Sequence, residues 1–457
     1  MKKISRRSSR RANTPFKISV KRKIFFYFLC VIPVLFFFSS CAGVINLQPQ
    51  VNSLAVARRY DQALKILEDP KNYGSNSELL YLLDRGLVLH LAGRYEESSR
   101  VFEEAKNTFD QLYTQSVTKI GGSWLWNDYA LPYRGEDFER VMVNIFQALN
   151  FAALGKIEEA LVEARDVDSV LNAINDQYAS GQKNVYREDA FARLLMGILY
   201  EAGGNWNDAL VSYRLAWDAY EKDYKKNYGV PAPQVLKENF RALIEKQGSA
   251  NDEPYRRTLA GIPYVPWDQK TRQAEIYLIQ YEGLAPIKMP VEIIVPVPGG
   301  PVSKVAFPYY QKRVYESDPL PLTARDIGGR SVMMETEEGE DVETIAIKNL
   351  EDRRLRVMAK ALIRPVGKYF LERTLENKVS EAHGRGSGRA VQYAGSLYNV
   401  FSEQPDLRSW QTLPARIRVA RLIVKPGAYE VSAGSESLGQ VTLGAGEKKF
   451  FVVRTVK

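Results

Sequence analysis

The sequence predicts an α+β chain of more than one domain: an N-terminal α-helical hairpin array, then a β-rich, sandwich-like C-terminal domain with a helical insertion. Three observations carry this expectation. Helix–turn–helix stretches with glycine in the turn recur between residues 57 and 246. From about Ser249 the texture becomes polar and proline-bearing. Beyond 274, alternating runs rich in β-branched residues, broken by Gly and Pro, replace the helical period.

The leader comes first in the chain. The 457 residues carry a net charge of +9, and 45% of them are apolar, enough to bury sizeable cores. Residues 1–40 hold ten Lys and Arg and no acid, which leaves a net charge of −1 on the rest. The basic excess therefore belongs to the leader, and no nucleic-acid surface is expected on the body. Residues 24–38, IFFYFLCVIPVLFFF, form an apolar run shorter than the roughly 20 residues a spanning helix needs. A basic stretch before it and the small pair Ser39 and Ser40 after it read as an export signal.

Cys41 follows that pair, and Cys30 inside the apolar run is the other cysteine of the chain. The arrangement resembles the lipobox of bacterial lipoproteins, with Phe38 where leucine is usual. The resemblance implies removal of residues 1–40, a diacylglycerol (and palmitate-type acyl chains) on Cys41, and anchoring to a membrane. Ala42 in place of aspartate resembles the pattern sent to the outer membrane, here facing the periplasm, with surface exposure as a variant. An uncleaved short anchor is the competing expectation.

The helical array is expected over 41–248. LAGRYEESSRVFEEA (91–105) sets Leu82, Gly86, Leu89, Gly93, Tyr95, Ser98, Phe102 and Ala105 at offsets that recur in two further stretches. One places Gly197, Tyr200, Gly204, Trp206, Ala209, Tyr213 and Ala216; the other Ala148, Phe151, Gly155, Ile157, Ala160 and Ala164. These offsets resemble the 34-residue tetratricopeptide repeat, in which small residues let two helices approach and aromatics fill the space between them. A partial copy around Tyr60 and Ala63 precedes them, and 233–246 reads as a capping helix. In that repeat class three positions of each first helix line a concave groove. Here they are Leu80, Leu83, Leu87, Met142, Ile145, Leu149, Phe191, Leu194 and Ile198, all apolar. An open groove of this kind would be a large exposed patch, so it is expected to be covered. The tryptophan-bearing insertion (Trp124, Trp126) or the C-terminal half would plug it, or a partner's apolar segment would.

WLWNDYALPYRGEDFERVMVNIFQALN (124–150), with later echoes at 281–288, 307–310 and 406–431, resembles a poorly characterised family of bacterial lipoproteins with tetratricopeptide-type repeats. The matching residues include Asn127, Asp128, Tyr133, Gly135, Glu136, Phe138, Glu139 and Asn144. The resemblance implies an exported cell-envelope protein near envelope or peptidoglycan assembly, with envelope proteins as partners. From the residues alone, Glu136, Asp137 and Glu139 read as first-turn acids opposing the helix dipole. Asn144 and Gln147, at i, i+3 spacing, would bond the insertion's backbone.

Residues 249–273 read as a linker or crossover. The β-rich part, 274–457, shows strand runs at 274–283, 289–300, 301–310 and from RIRVARLIV (416–424) onward, with a helical block over 341–378. The glycine-rich 379–395 completes neither a phosphate-binding loop nor a nucleophile elbow. With two histidines, His90 and His383, and Cys41 assigned to lipid, no catalytic triad, thiolate zinc site, metal or cofactor is expected. The expectation is a non-enzymatic, lipid-anchored protein-interaction scaffold. The alternatives are a cell-wall glycan-acting enzyme using Glu136 and Glu139, or a surface adhesin.

Overall fold

Helices fill the N-terminal half because its apolar residues recur at helical spacing and its turns are closed by glycine. A computed structural model describes residues 47–74, 76–118, 131–176, 178, 185–296, 302–353 and 404–456, with 358, 374, 377, 378, 380 and 381 individually. The principal helices are α1 (Gln48–Val56), α2 (Tyr60–Ile66), α3 (Glu78–Leu91), α4 (Tyr95–Thr118), α5 (Asp137–Ala153), α6 (Ile157–Asp176), α7 (Ala190–Ala202), α8 (Trp206–Ala219) and α9 (Gln234–Gln247). Helices α3 and α4, α5 and α6, and α7 and α8 pack as three successive pairs. The same device closes each pair. Gly93, Gly155 and Gly204 take φ values of 72°, 73° and 76°, the left-handed region that glycine enters without a Cβ clash. The next amide then reaches back to Leu89, Phe151 or Tyr200, capping a free carbonyl.

Two glycines set the closeness of the helices within pairs. A Cβ at Gly86 would stand 2.5 Å from the Phe102 ring, and one at Gly197 2.2 Å from the Tyr213 ring. The aromatic of the second helix thus occupies the volume that a side chain on the first would need.

The stretch read as a linker carries α10 (Glu253–Thr258) and α11 (Trp267–Lys270). Trp267 is buried edge-on against Trp206 at 4.8 Å between ring centroids. Among the described residues ten strands follow: β1 (Ala274–Glu282), β2 (Ile287–Pro296), β3 (Val302–Gln311), β4 (Pro321–Asp326), β5 (Ser331–Glu335), β6 (Glu337–Glu340), β7 (Arg416–Val424), β8 (Gly427–Ala433), β9 (Glu436–Leu443) and β10 (Lys448–Thr455). Of the expected block at 341–378, residues 342–353 are helical; most of the remainder lies outside the described residues.

One four-stranded sheet has the order β10-β1-β7-β6, another β5-β4-β8-β9, and β2–β3 is a separate hairpin. β1 lies at the centre, parallel to β10 and antiparallel to β7. All nine of its residues are buried, because both faces are covered. Successive side chains alternate between faces. Tyr277, Ile279 and Tyr281 enter the apolar core built by the helices. Ala274, Ile276 and Leu278 enter a second core shared with Leu322 and Ala324 of β4 and Val431 and Ala433 of β8. Asn46–Lys457 accordingly form one compact unit.

Gly197→Ala is expected to destabilise the chain by about 1–3 kcal/mol, since Tyr213 cannot yield without opening the α7–α8 pair. Denaturant midpoints of the single variant and of Gly197→Ala with Tyr213→Leu check this; the second change should recover part of the loss.

Candidate functional site

Leu80, Leu83 and Leu87 on α3, Met142, Ile145 and Leu149 on α5, and Phe191, Leu194 and Ile198 on α7 are all buried, none more than 3% exposed. The chain's own C-terminal half lies over these helices. Phe146 of α5 is the pivot: it meets Tyr281 of β1 at 5.5 Å and Trp410 at 5.7 Å, both edge-on, and Phe102 at 6.0 Å. Edge-to-face rings at such distances add to the gain from burying their area. On α7, Phe191 abuts Gly339 of β6, where a Cβ would stand 2.7 Å from its ring. Trp124, Trp126, Asn127 and Asp128 lie outside the described residues, as do Cys41, His383 and the signal segment.

In a core this apolar most polar groups are paired, although among the described residues Gln147 Oε1 and Trp410 Nε1 have no partner. His90 is fully enclosed, and burial pushes its imidazole down to about 4, so it is neutral. Asn150 Nδ2 donates to Ser98 Oγ at 2.9 Å, which turns Asn150 Oδ1 toward His90 Nδ1 at 2.6 Å. His90 Nδ1–H therefore donates, and Nε2 accepts from the Tyr281 hydroxyl at 2.9 Å. The single described histidine thus ties helix to strand.

Two carboxylates hold the segment before β7. Glu139 accepts from the Trp410 amide (2.9 Å), the Tyr133 hydroxyl (2.7 Å) and the Glu136 amide (2.9 Å). Asp84 accepts from Thr412 Oγ1 (2.5 Å), Tyr73 (2.8 Å) and Gln48 (3.0 Å). Burial pushes Glu139 up to about 7 and Asp84 up to about 6, opposed by these hydrogen bonds.

The residues of the resemblance motif form a fastening around the N-terminus of α5. Gly135, at φ 72°, turns the chain into the helix, where Glu136 and Glu139 make a reciprocal capping box. A Gly135 Cβ would stand 2.4 Å from the Phe109 ring. Glu136 bridges to Lys288 of β2 at 2.6 Å and to Arg353, so this one carboxylate joins helix, hairpin and the 342–353 helix. Phe138 is buried. Asn144 donates to Asp166 (3.0 Å) and Glu163 (3.3 Å) of α6, and Lys106 bridges the same two acids. Residues 119–130 of the insertion, the expected source of a backbone partner for Asn144 and Gln147, lie outside the described residues.

At the far end of the sheet lies a buried ion cluster that no local sequence pattern announces. Lys270 meets Glu201 at 2.5 Å; Lys448 meets Glu201 at 3.1 Å and also pairs with Glu275; Arg421 pairs with Glu238 and lies 3.6 Å from Glu275. Burial pushes Lys270 down to about 8 against the pull of Glu201 and Glu275. These charges join α7, α9, α11, β1, β7 and β10. A buried network of this kind confers little net stability, but loss of one partner strands the rest. Asp84, set beside Arg85 among leucines in LLYLLDRGLVLHL, is a local signal; the other links join residues far apart in the chain.

Among the described residues, no group of three or more His, Cys, Asp or Glu is placed to hold a metal ion. No described helix is long and apolar enough to cross a membrane. No family model matches the chain, and no curated protein matches it.

Two outcomes follow. Trp410→Ala should destabilise the chain by about 3–5 kcal/mol in denaturant unfolding, because it vacates the contact between Phe102 and Phe146. Glu139 has a folded value raised from 4.5 to about 7, so the folded state binds the extra proton between those limits. The stability it contributes is full below pH 4.5 and falls as pH rises toward 7. His90, lowered from 6.5 to about 4, has the opposite sign in an overlapping window. The difference between wild type and Glu139→Gln isolates the carboxyl: the variant should lose less stability between pH 5 and pH 8, by unfolding measured at both.

Proposed function

We propose that the chain is a lipid-anchored cell-envelope scaffold, held to a membrane through Cys41 and acting by contact in envelope or peptidoglycan assembly. The helical pairs are read as tetratricopeptide-type repeats and the two four-stranded sheets as a sandwich. The observation that carries this reading is the filling of the groove. The nine apolar positions that would receive a partner are buried, and Tyr281, Trp410 and Gly339 of the same chain lie against that helical face. The helical pairs then serve as a frame for the sheets, and partners meet the outer surfaces.

The acids of the motif are read as fasteners on the same ground. Glu136 and Glu139 are buried and fully engaged by Lys288, Arg353, Tyr133 and Trp410. Anchoring supplies the rest of the mechanism. Acyl chains buried at about 0.8 kcal/mol per CH₂ hold the protein, with two chains needed for firm attachment. Confinement to a surface raises the effective concentration of a partner on the same membrane.

Cys41→Ser tests the reading. Wild-type protein should sediment with membranes and incorporate labelled palmitate, whereas the variant should incorporate none and retain its leader. Equal labelling of the two proteins would remove the basis of the anchor.

A further inference from the structure

The outer strand of a sheet can accept a further strand, because one row of its N–H and C=O groups has no partner. Strand β5 is such an edge: it ends the order β5-β4-β8-β9 and, among the described residues, pairs with β4 alone. All five of its residues are exposed. Val332, Met333 and Met334 are 44%, 62% and 46% exposed, three apolar side chains in succession. The usual protections of an edge are missing. β5 has no proline and no lysine, and its register with β4 is unbroken. β9, at the other end of the sheet, carries a bulge against β8 beside Val431, which bends that edge away.

Directly opposed residues of paired strands point to the same face. Val332 lies opposite Ala324 and Met334 opposite Leu322, and both of these β4 residues are buried in the second core. Val332 and Met334 thus continue the core-facing apolar row past the last paired strand. Met333 and its flanking Ser331 and Glu335 belong to the other face. There Arg325 of β4 donates from Nε to Ser331 Oγ at 3.3 Å. Arg325 stands opposite Glu430 of β8, yet among the described residues neither Arg325 nor Glu335 is in an ion pair.

We propose that β5 is a self-association edge, which pairs antiparallel with β5 of a second copy of this chain about a two-fold axis at Met333. Two-fold symmetry centres each such register on one residue. The register centred on Met333 opposes Val332 to Met334 of the second copy, Met333 to Met333, and Ser331 to Glu335. The first pair joins the core-facing apolar rows of the two copies, and the second covers the most exposed side chain of the strand. The third brings Glu335 to the hydroxyl that Arg325 holds, so a carboxylate and a guanidinium unpaired within one chain meet across the axis, twice by symmetry. Registers centred one residue either way set Glu335 against Gly329 or Met333 and lose that match. A foreign strand would meet the apolar row equally well; the charge match favours a second copy. The inference goes beyond the scaffold reading and does not depend on the lipid anchor.

The test is sedimentation of the full-length chain in detergent over a range of concentrations. A single five-residue edge makes a small interface, so a reversible dimer with a dissociation constant on the order of 10 µM is expected. Met333→Lys, at an exposed position, sets like charges across the axis and should weaken the dimer about tenfold or more. Glu335→Arg should weaken it as well, and adding Arg325→Glu should restore most of that loss. The register is read by disulfide trapping in a chain carrying Cys30→Ser and Cys41→Ser. Met333→Cys should give a linked dimer under a mild oxidant, because opposed Cα atoms lie about 4.5–5.5 Å apart. Thr323→Cys, one strand inward on the same face, should not. A chain that stays monomeric at about tenfold that concentration would overturn the proposal and leave the edge to a foreign strand. A dimer indifferent to Met333→Lys, or one trapped equally at 323 and 333, would overturn it too.

Discussion

Everything in this fold depends on the burial of one helical face against the centre of one sheet. The faces of α3, α5 and α7 are too apolar to meet water, and β1 carries Tyr277, Ile279 and Tyr281 on the side turned to them. Each side supplies what the other lacks. Burial yields roughly 25 cal/mol for each Å² of apolar surface removed from water, and a contact of this breadth dominates any local preference along the chain. The pairs of helices and the sheet therefore belong to one core, although they come from opposite halves of the sequence.

The cost of such an interface is that every polar atom inside it needs a partner. The chain meets this by spending its buried polar side chains as links between the halves. His90 reaches a strand tyrosine, Glu139 a backbone amide ahead of β7, Asp84 a threonine two residues later, and Glu201 a pair of lysines. None of these links adds much net stability by itself. Each fixes register and orientation, because a shifted sheet would leave charges stranded. Among the described residues the pairing is incomplete at several atoms, Gln147 Oε1, Trp410 Nε1 and Arg454 Nη1 among them.

Much of the helical half was legible in advance. Its period, its three glycine turns and the close approach at Gly86 and Gly197 are local properties of sequence, and they appear at the residues expected. The need for a cover over nine apolar positions was legible too, but its identity was not. Trp410 lies far down the chain in a polar stretch, and nothing local marks it as the side chain that meets Phe146. Strands β1, β2, β3 and β7 showed alternation or β-branched runs. Strands β4, β5 and β6 did not; β6 reads EEGE and becomes a strand because β7 offers a ladder and Tyr220 and Tyr224 bond its Gly339 and Glu340. The parallel pairing of β1 with β10 joins residues about 170 apart, and no local pattern encodes that choice. The motif acids were read as a helix-start device, and they are one. That Glu136 also reaches Lys288 and Arg353 depended on contacts between distant segments.

Native-state hydrogen exchange in rising denaturant measures the shared core most directly. The amides of Ile145 and Phe146 on α5 and those of Leu278 and Ile279 on β1 should converge on a single opening reaction of the same free energy and the same denaturant dependence. Strand amides that open at lower free energy while α5 stays protected would show two separately stable bodies, and would contradict the dependence of one half on the other.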